Sequence, residues 1–596
     1  MNSMSENQRI HTARGIAEKG REAAPRALLY LGISFVLMLL LTRSSFLYPY
    51  NNWDDANSYF SMGKSMMNGA VIYRDIFDQK GPYLYLLYGL CSLVSRTDFT
   101  GVFIMEVLLG AVDLWLIRRI LHLYCSGRTS LVLAPVLFAC MCASKSFYWG
   151  GSAEELCLPF LLYPLYLLLR TLEEGKADAH QSTEAESSET GEGASAAAGT
   201  GKTDHLSGGV HFRARDVFAA GLCCGVVFCI KFTLMGFYLA FAVVVILTCR
   251  SRKEFWSLAG WYLLGILLPF VPWVIYFAAN GALFDWYNVY IYTNVFIYSD
   301  FGENSHGETM ASRIYDLAKL LYWLILDNYQ YFVFIIAGLL WMLVRRGASI
   351  LSRLAPILVF GLTFFFIYIG GATLPYYAVP LTVLASPGMG AAGRLIDRLA
   401  AAVLSRRKEK TAQDSPGRND SCPGSTGVPP GTAAQDAAAA ICDDGALTPV
   451  MLAIAAGTML LSLLICYHYS WNTYYLFYDK EDVFLTRFTE DIQSDRESGL
   501  VDGENTTLLN IGCLDCGLYT TADIYPSCYW FQTQTLPGDD VSTEQLRYIT
   551  EAQTDYVVAR DTYPDAIFAH YELIDTYHQV MGTSEFDYYL FRRISE

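Results

Sequence analysis

Charge is scarce in this chain. Only 17% of its 596 residues are Asp, Glu, Lys or Arg, and 53% are hydrophobic, whereas ordinary soluble domains carry about 25% charged residues. With a mean hydropathy of +0.27, that scarcity excludes a simple water-soluble globule. Apolar stretches recur along most of the length and predict a multi-pass membrane protein. A basic excess is also missing: the net charge is −16, which excludes nucleic acid as a partner. Acidity is confined to one end, since residues 467–596 hold 23 Asp and Glu against 7 Lys and Arg, and the rest of the chain holds 35 of each sign. That asymmetry predicts a separate water-exposed domain. No convincing small-x-small cleavage site follows the first apolar run, so that run is predicted to be a span and not a cleaved signal. Twelve of the fifteen cysteines, Cys466 and those before it, lie outside the acidic segment and mostly in apolar runs, where a thiol acts as a small hydrophobe.

Eleven spans are predicted, near Ala27–Leu41, Phe99–Ile117, Leu131–Ala143, Leu156–Leu169, Val217–Ile230, Phe232–Thr248, Leu258–Ala279, Tyr329–Val344, Leu354–Gly370, Leu374–Ala391 and Met451–Tyr467. Several are shorter than the ~20 residues of a straight span and must borrow flanking residues. Positive charge fixes the expected orientation. With the N-terminus inside, cytoplasmic segments hold 26 basic residues and outer loops 9. Tyr83–Val94 is therefore expected to be interfacial or re-entrant, because a twelfth crossing would turn the later basic loops outward. The resulting plan has a basic cytoplasmic tail at 1–26, a transmembrane domain at 27–467 and an extracytoplasmic domain at 468–596. Two low-complexity cytoplasmic loops, 171–212 and 408–447, are expected to be disordered.

The loop at 43–98 concentrates the chemistry. Asp54 and Asp55 sit just beyond the first span, where carboxylates are costly unless solvated or working. Ala56–Met67 reads as an amphipathic interfacial helix, ended by Asn68-Gly69, and Arg74 and Lys80 follow. A general-base candidate thus lies within one loop of two candidates for binding phosphate. Plainer roles stay open for each: Asp54 or Asp55 as a helix cap, and Arg74 and Lys80 as cations snorkelling to headgroups. Glu154 and Glu155 could complement a helix start. Lys231 is either a cavity cation or a hinge charge in water, and Tyr376 and Tyr377 suit an aromatic belt.

The acidic pair after span one, the Asn-Gly turn and Tyr73-Arg-Asp-Ile-Phe-Asp-Gln-Lys-Gly-Pro82 resemble the first outer loop of membrane glycosyltransferases of the C-type (GT-C) fold. The nearest likeness is to protein O-mannosyltransferase and aminoarabinose-transferase relatives, which take sugars from polyprenyl phosphates. Gly151-Ser-Ala-Glu-Glu-Leu-Cys-Leu-Pro159 is similar to the second acidic outer loop of that family, and the resemblance extends to Leu374-Pro-Tyr-Tyr-Ala-Val-Pro380 and to the soluble C-terminal domain. The resemblance implies a mainly α polytopic protein, Asp54 as the catalytic acid position with Asp55 where relatives often have Glu, and Lys80 as a contact to the lipid phosphate.

The residues lead the same way. An active site facing outward meets no cytosolic nucleotide sugar, and Asp-x-Asp, the usual magnesium-nucleotide signature of soluble sugar transferases, is absent. The expected reaction is inverting transfer from a polyprenyl-phosphate sugar to an envelope lipid, polymer or protein. Asp54, Asp55 and Glu154 are the catalytic candidates, and Arg74, Lys80 and Lys231 the phosphate-binding ones. Glu155, Tyr376 and Tyr377 are candidates for acceptor or sugar contacts. No metal site and no cofactor is required by the sequence, although a divalent ion stays an option without support. The rival is a transporter or flippase for a lipid-linked sugar, which would place its ionisable residues mid-membrane and show repeated halves.

In the terminal domain, Thr507–Ile511, Tyr556–Ala559 and Tyr588–Phe591 read as strands and Ser542–Thr550 as a capped helix, a small α/β module. It carries no nucleophile elbow, phosphate loop or metal cluster. Cys513, Cys516 and Cys528 suggest one structural disulfide or none.

Overall fold

A computed structural model describes residues 25–189, 209–297, 310–413, 449–534, 536, 540–581 and 584–594. Most of the predicted tail at 1–26 and of the loop at 408–447, and residues 190–208 of the loop at 171–212, lie outside the described residues. Five helices are long and apolar enough to cross a membrane, namely Thr100–Leu121, Ala153–Gly175, Arg252–Ala279, Ile350–Tyr368 and Pro449–Tyr469. Ser312–Asp327 and Tyr329–Val344 form a pair bent by 115° that qualifies as a sixth when taken together. Pro25–Leu41, Gly127–Cys142 and Phe232–Thr248 are shorter apolar helices. The chain is a mainly helical, polytopic membrane protein with a small sheet domain at its C-terminus.

All eleven predicted segments fall on helical structure, but not on eleven uniform rods. Leu374–Ala391 begins as a 3-10 helix, Pro375–Ala385, because Pro375 and Pro380 remove backbone donors that an α-helix needs. Conversely, the helix starting at Leu158 runs to Glu189, so the polar segment expected from 171 opens inside a helix. Its Glu, Lys, Ala and Gln are helix formers, which composition read as disorder conceals.

The first elements set the site. α1 (Pro25–Leu41) leads into α2 (Asp54–Met67), α3 (Pro82–Ser92) and α4 (Thr100–Leu121). Asn51 accepts the Trp53 N–H at 3.2 Å, and the Asn57 amide donates back to the Asn51 carbonyl at 2.8 Å, which fixes where α2 begins. Trp53 occupies the cap, leaving Asp54 and Asp55 in the first turn, where the exposed N–H groups favour carboxylates. Pro82 opens α3, a position where its missing N–H costs nothing. At eleven residues α3 is too short to span, and it packs along α2.

The terminal domain is a four-stranded sheet ordered β1-β2-β4-β3, with β1 (Leu508–Ile511), β2 (Tyr556–Arg560), β3 (Tyr571–Met581) and β4 (Ser584–Arg593). β1 and β2 are parallel, and the other pairs are antiparallel. The predicted strands and the helix at Asp540–Thr550 are present. β3 is an addition to the expectation: a register shift between Leu573 and Asp575 and buried Asp575 and Gln579 break the apolar alternation that would have marked it. Cys513, Cys516 and Cys528 are free, buried thiols.

This domain sits on α2. Ser61 Oγ donates to Asp515 at 2.5 Å, Lys64 Nζ to the Tyr519 carbonyl at 2.8 Å and Gln532 to Ser58 Oγ at 2.6 Å. One helix therefore belongs to both halves of the molecule.

Candidate active site

At the N-terminal end of α2 a cavity of about 560 Å³ opens between the helical domain and the sheet. Its floor is Asp54, Asp55, Asp78, Gln79 and Lys80, and its roof is Arg560, Phe586 and Tyr588 from β2 and β4. Trp53, Tyr148, Trp149 and Tyr376 wall it. Trp53 meets Tyr376 edge-on at 4.9 Å and Tyr148 at 5.3 Å between ring centres. Broad aromatic faces with polar tips suit a ligand that has both C–H faces and hydroxyls.

The two adjacent acids have different partners. Arg560 donates to Asp54 Oδ2 at 2.9 Å, while Tyr376 donates to Asp55 Oδ2 at 2.7 Å and Lys80 Nζ lies 4.0 Å from Asp55 Oδ1. Burial pushes the Asp54 carboxyl up to about 6 against the lowering pull of Arg560. A carboxylate held near neutrality is matched to general-base work. Burial also raises Asp78, with Lys80 opposing; Asp78 accepts from Ser58 Oγ at 3.3 Å and from the Gln79 N–H at 2.8 Å.

Lys80 and Lys231 come from segments distant in sequence that run side by side. The Gly81 N–H donates to the Ile230 carbonyl at 3.3 Å and the Tyr83 N–H to the Cys229 carbonyl at 3.1 Å. A Cβ at Gly81 would lie 2.2 Å from the Cys229 oxygen, so only glycine lets the strands approach. Lys231 is buried and pairs with Glu154 Oε1 at 2.8 Å, its ammonium 4.2 Å from the Tyr377 ring centre. Glu154 and Lys231 thus form an ion pair adjoining Tyr377, the neighbour of cavity-lining Tyr376, and do not themselves line the cavity. Glu154 Oε2 has no hydrogen-bond partner among the described residues.

Three expectations need correction. Arg74 is not at the cavity: it is exposed, bound to Asp75 at 2.7 Å and to the Asn280 carbonyl at 2.8 Å, because the backbone turns at Tyr73 (φ 70°) and directs it away. Glu155 is buried and accepts the Gly151 N–H at 2.8 Å, holding the left-handed Gly150-Gly151 turn, and it does not line the cavity. Its helix is capped by Ser152, so neither glutamate serves as the cap. Tyr376 and Tyr377 do not face lipid; both are buried, and the Tyr376 hydroxyl is committed to Asp55.

Several site residues escaped the sequence reading. Arg560, Tyr588 and Phe586 approach from the terminal domain, and no local signal marks them. Tyr148, held at φ 59°, carries the backbone strain that clusters at working sites. Arg43, buried between the Trp149 and Tyr475 rings at 3.6 and 3.7 Å, donates to Asn52 and Asn472 and so fixes one wall. A lone arginine just after an apolar run was the available clue. Among the described residues no three His, Cys, Asp or Glu side chains are grouped to hold a metal ion.

No protein-family model matches the chain, and no curated protein matches it in sequence. Solved structures do. ArnT from Cupriavidus metallidurans bound to undecaprenyl phosphate is similar with a TM-score of 0.53 at 12% identity, over 94% of this chain and 97% of that one. The apo state of the same protein gives 0.49 at 13% identity, over 95% and 98%. The arabinofuranosyltransferase AftD from Mycobacteria gives 0.44 at 11%, over 95% of this chain and 41% of that one. The chain has the C-type fold of the membrane glycosyltransferases.

Proposed function

We propose that this protein is an inverting glycosyltransferase that moves a sugar from a polyprenyl-phosphate donor to an envelope acceptor at the outer face of the cytoplasmic membrane. The observation that carries this reading is the convergence of Asp54, Asp55, Lys80 and Arg560 with four aromatic walls on one cavity at the domain junction. The undecaprenyl phosphate bound to the similar ArnT structure supports a lipid-phosphate donor.

Arg560 engages Asp54 Oδ2, so Oδ1 takes the proton from the acceptor hydroxyl. The acceptor oxygen attacks the anomeric carbon, and the bond to the phosphate oxygen breaks with its electron pair leaving on polyprenyl phosphate. Lys80, reinforced by neighbouring Lys231, stabilises the growing charge of that leaving group. Asp55 orients Lys80 and Tyr376 and is not the base. The aromatic walls seat the sugar.

Asp54→Asn is expected to lower transfer from a radiolabelled polyprenyl-phosphate sugar by roughly 10²–10⁴-fold, the usual worth of a general base. Lys80→Ala is expected to weaken donor use with the fold intact. Near-normal transfer by Asp54→Asn refutes the assignment, and near-normal transfer by Asp55→Asn as well would remove the acidic pair from the chemistry.

A further inference from the structure

A second cleft, of about 420 Å³, lies at the other end of α2. Lys64, on the last turn of that helix, and Arg96, in the α3–α4 connection, both line it, as do Asn68, Ser92, Ser95 and Tyr525. Lys64 is 1% exposed. Burying an ammonium so completely is expensive unless it is paired. Its partners are the Tyr519 carbonyl at 2.8 Å and Asp523 at 3.4 Å, with the Tyr525 ring centre at 5.1 Å. The same Asp523 takes Arg96 at 3.1 Å through its other oxygen. Two cations thus meet on one carboxylate, Asp523, at the floor of the cleft. Asp515, the other carboxyl near Lys64, is committed to Ser61 and the Gly517 N–H.

Depth is set by the neighbouring chain. Arg96 precedes by four residues the start of the apolar helix Thr100–Leu121, so it stands at the rim of a span. Leu93 and Val94 line the same cleft and are 69% and 58% exposed, an apolar lip next to a cationic floor. Cations beside an apolar rim at the end of a span are where anionic headgroups collect.

We propose that this cleft binds a phosphate-bearing anion at headgroup depth, held by Lys64 and Arg96 with the Asn68 side chain as a further donor, and separate from the cavity at Asp54. The phosphate could belong to a lipid or be free in solution, and the two sources are told apart below. Since Tyr525 and Asp523 come from the terminal domain and Lys64 and Arg96 from the helical one, occupancy would also fasten the two halves at the end of α2 remote from the cavity.

The test uses the full-length protein purified in detergent and observed by native mass spectrometry. Phosphatidylglycerol, phosphatidylcholine or inorganic phosphate is added to wild type, to Arg96→Gln and to Arg96→Lys. Arg96 is 61% exposed, so these variants keep the fold, and thermal unfolding verifies it. Wild type is expected to retain one phosphatidylglycerol that Arg96→Gln retains about tenfold less well, the loss expected for one charge-assisted contact, and Arg96→Lys is expected to recover most of it. Retention that inorganic phosphate does not displace assigns the anion to lipid; full displacement assigns it to soluble phosphate. Equal retention by wild type and Arg96→Gln of both phosphatidylglycerol and inorganic phosphate overturns the proposal, as does equal retention of phosphatidylcholine and phosphatidylglycerol by wild type when inorganic phosphate does not bind.

Discussion

Replacing Arg560 with Gln should move the pH at which this protein works. Asp54 is raised to about 6 by burial, and Arg560 is the main influence pulling it back down. The guanidinium and carboxylate are 2.9 Å apart with side chains 19% and 24% exposed, so the contact is partly shielded from water and salt. A hydrogen bond to a charged group in such a setting is worth about 1.5–3 kcal/mol. At 1.36 kcal/mol for each pKa unit, its loss raises Asp54 by about 1–2 units. A base must be ionised, so activity falls as pH drops through its pKa. The acid limb of kcat/KM, which reports the free enzyme, is thus expected near pH 6 in wild type and at about 7–8 in Arg560→Gln. At neutral pH the variant then loses about two- to tenfold and regains most of it at alkaline pH, while Arg560→Lys keeps the limb close to wild type. An acid limb that stays in place in Arg560→Gln refutes the coupling. A loss equal at every pH makes Arg560 a substrate contact and not the group that sets the base.

Lys231→Met and Glu154→Gln should each destabilise the fold by about 3–5 kcal/mol, since either leaves a buried partner uncompensated, and the double variant should cost much less than the sum; additive losses in thermal unfolding would show that the pair is not coupled. Gly81→Ala places a Cβ 2.2 Å from the Cys229 oxygen and should cost about 1–3 kcal/mol, with a raised KM for the lipid donor because Lys80 shifts; a normal KM would detach Lys80 from the donor. Protease added outside intact cells should cut the terminal domain and spare residues 1–26, and a protected terminal domain would reverse the orientation on which an outward-facing cavity depends.

What could be read from the sequence was what one segment declares by itself. Asp54 and Asp55 stand out because carboxylates follow an apolar run, and Lys231 because a cation interrupts one; both facts survive folding. Arg74 misled for the same reason: it shares a loop with Lys80, but loop membership does not say which way a side chain leaves the backbone, and Asp75 one residue away claims it. Tyr376 looks like a belt residue in a window of apolar neighbours, and only a contact 321 positions away, with Asp55, shows otherwise. Arg560 could not be found locally at all. It ends an unremarkable short strand, and its partner lies 506 positions earlier. Helical spans were legible because lipid imposes one composition on all of them, whereas their lengths and breaks depend on prolines and on neighbours.

The direction of these misses has a physical consequence. Every site residue that was visible belongs to the membrane half, and three of those that were hidden, Arg560, Phe586 and Tyr588, close the cavity from the soluble half. A carboxylate at a membrane rim with open water above it would keep an ordinary acid strength and gain little from a nearby lysine, because water screens both. Once β2 and β4 lie over Asp54, burial raises it to about 6, and each charge in the cavity counts for more. The sheet therefore does more than cover the site: by docking on α2 it holds the Asp54 carboxyl near neutrality, and in the proposed mechanism Arg560 sets the pH at which that acid is ionised. A chain cut before β1 should keep Asp54, Lys80 and Lys231 and still lose transfer at all donor concentrations. If such a truncation, shown to be folded in the membrane, transferred sugar normally, the terminal domain would have no part in the chemistry.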